Sequence, residues 1–158
     1  MSAELITSWT EHDRSLQRIL LLASQSFLVF DADLARLKLE RSDNAELLRG
    51  FLAAGAQHSL QIVLRNAEPL RRGSPRLMKL LATYPQNMTI IECPPHLAGL
   101  DDSLFIADNR HALVRFSKDY PRARMIIDDA TECAPYVHRF AEIINEGGEQ
   151  ICATTLGL

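Results

Sequence analysis

The chain has 158 residues, 47% hydrophobic and 23% charged, the composition of an ordinary globular protein. That length suits a single domain over residues 1–158, with a core that needs no metal or disulfide staple. Seventeen basic and twenty acidic side chains leave a net charge of −3, too balanced to call for a nucleic-acid partner or an anionic membrane, so neither is expected. Cys93, Cys133 and Cys152 are odd in number and far apart. No basic region leads into an apolar one at the start, and no apolar run is long enough to span a bilayer, so the expected location is the reducing cytoplasm.

Thr10, ahead of the acidic Glu11 and Asp13, reads as a helix start. Leu16, Ile19, Leu20 and Ala23 recur at helical spacing, which predicts a helix over about 11–24. Ser26–Phe30 is a continuous apolar run, as in a strand covered on both faces, and it ends in Asp31-Ala32-Asp33. Leu47, Leu48, Phe51 and Leu52 form one stripe of a helix over Asn44–Ala56, with Gly55 placed to end it. The next strand, Leu60–Leu64, closes on Arg65-Asn66. Ser74-Pro75 then opens a helix whose inner face is Leu77, Leu80, Leu81 and Tyr84.

A third strand, Met88–Cys93, stops at Pro94-Pro95. Ser103–Ala107 and His111–Phe116 form a hairpin around the polar corner Asp108-Asn109-Arg110, and Arg124–Ile127 is a further strand. Asp129 and Glu132 make a capping pair for a last helix that buries Tyr136, Val137, Phe140, Ile143 and Ile144 and ends at Gly147-Gly148. The apolar tail to Leu158 is expected to dock on the body or a partner. Strands alternating with helices imply a largely parallel sheet, with antiparallel pairing added at its edge by the later strands. The fold class is a mixed-sheet α/β layer sandwich.

This layout, with the stretch Asp101–Phe116, resembles one half of the phospholipase D fold. Active members of that superfamily carry H-x-K-x-x-x-x-D on a strand and a Ser or Asn motif further on. Laid on Asp101–Asp108, the His position is Asp101, the Lys position is Ser103, and Asp108 keeps its type. Arg115-Phe116-Ser117 falls near the later motif without its glycine or asparagine. A covalent phospho-intermediate needs a neutral nitrogen nucleophile and a cation for the developing charge, and here the nucleophile position is an anion. The resemblance therefore implies a binding or accessory module without phospholipase D chemistry. It also implies a homodimer, since single-half members can meet around a twofold axis. The chain is similar too to a group of bacterial domains that stand alone or follow an acetyltransferase domain.

Asp31, Asp108 and Asp128 each end a strand, and the carboxyl ends of parallel strands collect ligand groups. Turn and capping duties account for Asp108 and Asp128, which leaves Asp31 and Asp33 as ligand-binding candidates. Phe27–Asp33 with Ile126–Asp129 resembles the haloacid dehalogenase-type phosphotransferases, in which a strand-end Asp-x-Asp supplies nucleophile and general acid while a later Asp pair holds magnesium. This chain departs from that pattern at Leu34, Ala35 and the Leu60–Asn66 strand. Arg65, Arg71 and Arg72, near the helix start at Ser74, suit a small anionic ligand. Cys93, His96, Cys133 and His138 read as buried thiols and surface imidazoles rather than zinc ligands. No metal or other cofactor is expected, and no histidine neighbours a nucleophile elbow.

Overall fold

The computed structural model describes residues 3–153. In chain order these form β1 (Ala3–Ile6), α1 (Trp9–Leu22), β2 (Ser26–Asp31), α2 (Ser42–Ala53), β3 (Ser59–Leu64), α3 (Glu68–Gly73), α4 (Pro75–Thr83), β4 (Met88–Glu92), β5 (Ser103–Ala107), β6 (His111–Arg115), β7 (Ala123–Ile126), α5 (Ala130–Asn145) and β8 (Glu149–Gln150). The strands build an eight-stranded sheet in the order β1-β7-β6-β5-β2-β3-β4-β8. β2, β3 and β4 are parallel, joined by the helical crossovers that the alternating pattern predicts. Every other ladder is antiparallel. The expected largely parallel sheet is thus corrected. Pairing reverses at the centre, between β2 and β5, because the hairpin inserts beside β2 instead of extending an edge.

One apolar cluster joins Leu16 and Ile19 of α1, Leu48 of α2 and Leu77 of α4 to Phe27, Val29, Ile62 and Phe105 of the sheet. The other packs Phe140 and Ile143 of α5 on Phe30, Val63, Leu104 and Val114. Alternation along each strand sends successive residues to these two layers, so the central strands are mostly apolar along their length.

The predicted elements hold with shifted ends. α1 begins at Trp9, since the cap is Ser8 rather than Thr10. Ser8 Oγ accepts from the Glu11 amide at 3.1 Å, and Glu11 Oε1 accepts from the Thr7 amide in return. α2 ends at Ala53, before Gly55. β1, α3 and β8 lie in stretches to which the sequence reading assigns no separate element. At Gly148 (φ +129°) a Cβ would lie 2.3 Å from the Glu92 carbonyl oxygen, so glycine is needed for β8 to close onto β4. Ile151 is buried and donates its amide to Ile90 O at 2.8 Å, and Ala153 packs against the same core, docking the start of the tail; residues 154–158 lie outside the described residues. Among the described residues no helix is long and apolar enough to cross a membrane.

Candidate functional site at the strand-end edge

β2 and β6 end on the edge of the sheet where β5 begins, because β5 is antiparallel to both. Asp31 stands one step beyond the paired Phe30 and Leu104, which puts it beside Ser103. Ser103 in turn pairs with Arg115. All three side chains take the four-helix face, as do Val29, Phe105 and Leu113 two residues away. Strands lie about 4.8 Å apart, so Arg115 reaches Asp31 across β5, over the small hydroxymethyl group of Ser103. Its Nη2 donates to Asp31 Oδ1 at 3.1 Å, its Nη1 to His12 Nε2 at 3.1 Å and its Nε to the Ser117 carbonyl at 3.2 Å. Asp31 Oδ2 accepts from the amides of Leu34 (2.8 Å) and Asp33 (3.3 Å). Arg115 and Asp31 are each 1% exposed, and their hydrogen bonds supply the pairing that buried charges require. Burial lowers the Arg115 pKa against the pull of Asp31, and the nearby guanidiniums of Arg36 and Arg65 depress it further.

Arginine only donates, so His12 must accept at Nε2 and be neutral. Its pKa lies below 6.5, chiefly through burial and then through the charge of Arg115. Trp9 meets the His12 ring edge-on at 5.2 Å between centroids, with Arg36 Cζ 4.5 Å and Arg115 Cζ 5.3 Å from its own centroid. At the opposite edge His111 accepts from the Asp128 amide at Nδ1 (2.9 Å), and burial lowers its pKa as well. A depressed imidazole pKa means that the unfolded chain takes up the proton first. Stability is then complete above about pH 6.5 and falls as pH drops below it, by at most about 1.4 kcal/mol per pH unit for each imidazole. Urea unfolding at pH 8 and pH 5.5 is expected to show that fall, and His12→Gln, which keeps an acceptor for Arg115, to remove part of it. An unchanged slope in the variant would mean that His12 does not titrate this way.

The other face of the same edge carries Arg65, whose Nη1 donates to the Asp102 carbonyl at 2.8 Å and whose Cζ lies 4.9 Å from the Phe30 centroid. The Asp102 carboxylate is taken by a two-pronged contact from Arg139 (2.7 and 2.9 Å). Arg65 Nη2 is buried without a hydrogen-bond partner, and no other buried side-chain nitrogen or oxygen among the described residues shares that state. Asp101 is exposed and accepts from the Lys118 amide at 3.4 Å. Ser117 accepts from the Asp119 amide at 3.3 Å.

Asp108 lies at the far edge of the sheet, where it and Asn109 take positive φ (56° and 57°) to turn the hairpin. Its carboxylate accepts from the amides of Ser24 (2.9 Å), Gln25 (2.7 Å) and Ser26 (3.0 Å), a supporting role that pins the hairpin corner to the start of β2.

The dehalogenase-type alternative is not supported by this geometry. Asp31 is consumed by Arg115, and Asp33 Oδ1 accepts from the Ala35 amide at 3.0 Å to shape the turn. The pair Asp128–Asp129 follows β7, which runs opposite to β2 and so delivers it to the far edge beside His111 and Arg110. The three strand-end aspartates therefore do not converge. Arg71 and Arg72, unlike Arg65, have carboxylates of their own, 3.9 Å away on Glu149 and Glu68 respectively. The α4 N-terminus near Ser74 is already filled by the Glu40 carboxylate, which accepts from the amides of Arg76 (2.9 Å) and Leu77 (3.0 Å). Cys93 and Cys133 are buried, whereas His96 is an exposed partner of Glu146 at 2.8 Å. Sequence reading missed His12 and Arg115. The available signals were a histidine on the apolar stripe of α1 and an arginine at the end of a fully apolar strand.

Comparison with solved structures shows this fold elsewhere. An archaeal chromatin protein, TrmBL2, whose structure shows a novel mode of DNA binding, superposes with a TM-score of 0.68 at 15% identity over 96% of this chain and 54% of its own. This chain thus spans about half the length of that protein. Nuc, a phospholipase D family member from Salmonella typhimurium, gives 0.63 at 16% identity over 96% of this chain and 98% of its own. NucT from Helicobacter pylori gives 0.61 at 12% identity over 93% and 98%. The α/β mixed-sheet fold is therefore phospholipase D-like. The expectation of no nucleic-acid partner is corrected by the DNA-binding relative of this fold, since a net charge averages over faces that a ligand meets one at a time. No curated protein matches the chain. Residues 8–150, nearly the whole of the sheet and its helices, match a domain of unknown function, DUF7931, and the chain belongs to that family.

Proposed function

We propose that this chain is a phospholipase D-like module that binds an oxyanion at the strand-end edge without cleaving it. The observation that carries this reading is the Arg115–Asp31 pair lying across Ser103, on the strand where the resemblance would put the lysine of a working site. An ammonium at position 103 would meet a buried guanidinium on the neighbouring strand, so the ion pair and the reactive lysine exclude each other. Arg65 supports the binding half. Its guanidinium has no carboxylate partner among the described residues and keeps one buried N–H group unused, a state that calls for a ligand, an ion or a water.

Hydrolysis of bis(p-nitrophenyl) phosphate is expected to stay at the buffer rate. Sulfate or phosphate at fixed ionic strength is expected to raise the melting temperature, and Arg65→Gln to reduce that rise. Turnover that Asp101→Ala abolishes would overturn the reading. A second reading makes the oxyanion a nucleic-acid phosphate. The shared fold of the chromatin protein favours it, as does the cationic Arg65 at this edge, which has no carboxylate partner among the described residues. Anisotropy of a labelled DNA duplex at low salt decides it, with binding expected to weaken steeply as salt rises.

A further inference from the structure

A cavity of about 400 Å³ lies away from that edge, in the furrow between α2 and α4. Both helices connect parallel strands on one face of the sheet, so they run side by side in the same direction. Each turns toward the furrow a row at positions i, i+3, i+4 and i+7, from Ser42 to Arg49 on α2 and from Arg76 to Thr83 on α4. The next rows, Leu48 and Leu52 on one helix and Leu77 and Leu81 on the other, are spent on the core. Ala45 and Leu80 make an apolar floor, 5% and 6% exposed, and Tyr84 closes one end with an aromatic wall.

Charge on the rim is uneven. Arg49 is tied to Glu46 on its own helix through contacts of 2.9 and 3.0 Å from Nε. Arg76 donates to the Glu40 carbonyl at 3.2 Å, while the Glu40 carboxylate stays on the α4 amides. Lys79 projects between them, and among the described residues no carboxylate pairs with its ammonium. The furrow thus combines a small apolar floor, a ring at one end and a free cation on the wall.

We propose that this furrow binds an amphiphilic carboxylate, a single anionic head on an alkyl or aryl body of roughly ten heavy atoms, a size suited to a pocket in the range of small-ligand sites. The head meets Lys79, and the body lies over Ala45 and Leu80 toward Tyr84. The site is separate from the strand-end edge, so its occupancy does not depend on the oxyanion reading.

Octanoate is the probe, followed by ligand-observed NMR and by amide shifts of the folded protein, with octanol and inorganic phosphate as controls. Octanoate is expected to saturate with a Kd below about 5 mM, the range for a ligand of this size. Amide shifts should centre on α2 and α4. Lys79→Ala should weaken it at least about fivefold, as loss of one charge contact implies. Ala45→Trp, which fills the furrow from its floor, should abolish it, and Arg65→Gln should leave it unchanged. Octanol binding as tightly as octanoate, phosphate alone shifting the same amides, or Lys79→Ala binding like the parent would each overturn the proposal. Circular dichroism of each variant separates loss of the site from loss of the fold.

Discussion

Arg115→Ala is expected to cost about 3–5 kcal/mol of folding stability, the range for breaking a buried ion pair by removing one partner. With the guanidinium gone, Asp31 stays buried with only the Leu34 and Asp33 amides to hold its charge, and His12 loses its donor. A domain of this size is ordinarily stable by about 5–15 kcal/mol, so urea midpoints will register the change plainly. The double variant Asp31→Asn, Arg115→Met removes both charges and should recover most of the loss, because the two substitutions act on one interaction. Purely additive losses, or a loss under about 1 kcal/mol for Arg115→Ala, would show that the pair is not the buried bridge described.

Asp108→Ala should rank next, at about 3 kcal/mol, and its two contributions can be separated. Three amides, those of Ser24, Gln25 and Ser26, lose a charged acceptor, and a hydrogen bond to a charged group contributes about 1.5–3 kcal/mol. Alanine must also adopt φ +56°, a left-handed conformation that Asp and Asn tolerate better than other side chains. Asp108→Asn keeps that tolerance and one oxygen acceptor, so it isolates the charge and should cost about half as much. If Asn and Ala cost the same, the carboxylate is not what holds the corner to β2.

Most of the central sheet was legible because its strands are buried on both faces and read as unbroken apolar runs bounded by turn residues. Phe27–Phe30, Ile62–Leu64 and Leu104–Ala107 are of that kind. β1 was not, since its exposed edge residues Glu4 and Leu5 gain their pairing only from β7, about 120 positions later in the chain. α3, six residues that include Pro69 and end at Gly73, carries too little periodicity to be told from a turn. Of the positions named by the expected motif alignment, Ser103 lies at the candidate site and Asp108 at the far edge, and local pattern could not show that Arg115 reaches Asp31 over Ser103. His12, Asp31 and Arg115 come together across separations of 103 and 84 residues, and of the three only Asp31 stands out in the sequence. The basic segment at 65–79 failed as one cluster for a related reason, because Glu40 and Glu149 reach it from elsewhere on the surface while Glu68 pairs with Arg72 inside it.

The reversal at β2 has a consequence for how the chain is made. β3 and β4 follow β2 within a few dozen residues, but its other neighbour, β5, emerges from the ribosome only after more than 70 further positions. Until then the growing polypeptide holds a three-stranded parallel fragment with the long apolar side of β2 unpaired, a surface open to sheet-to-sheet self-association. A released chain truncated shortly after residue 100 should therefore engage chaperones strongly, and chains extended past the hairpin should do so less.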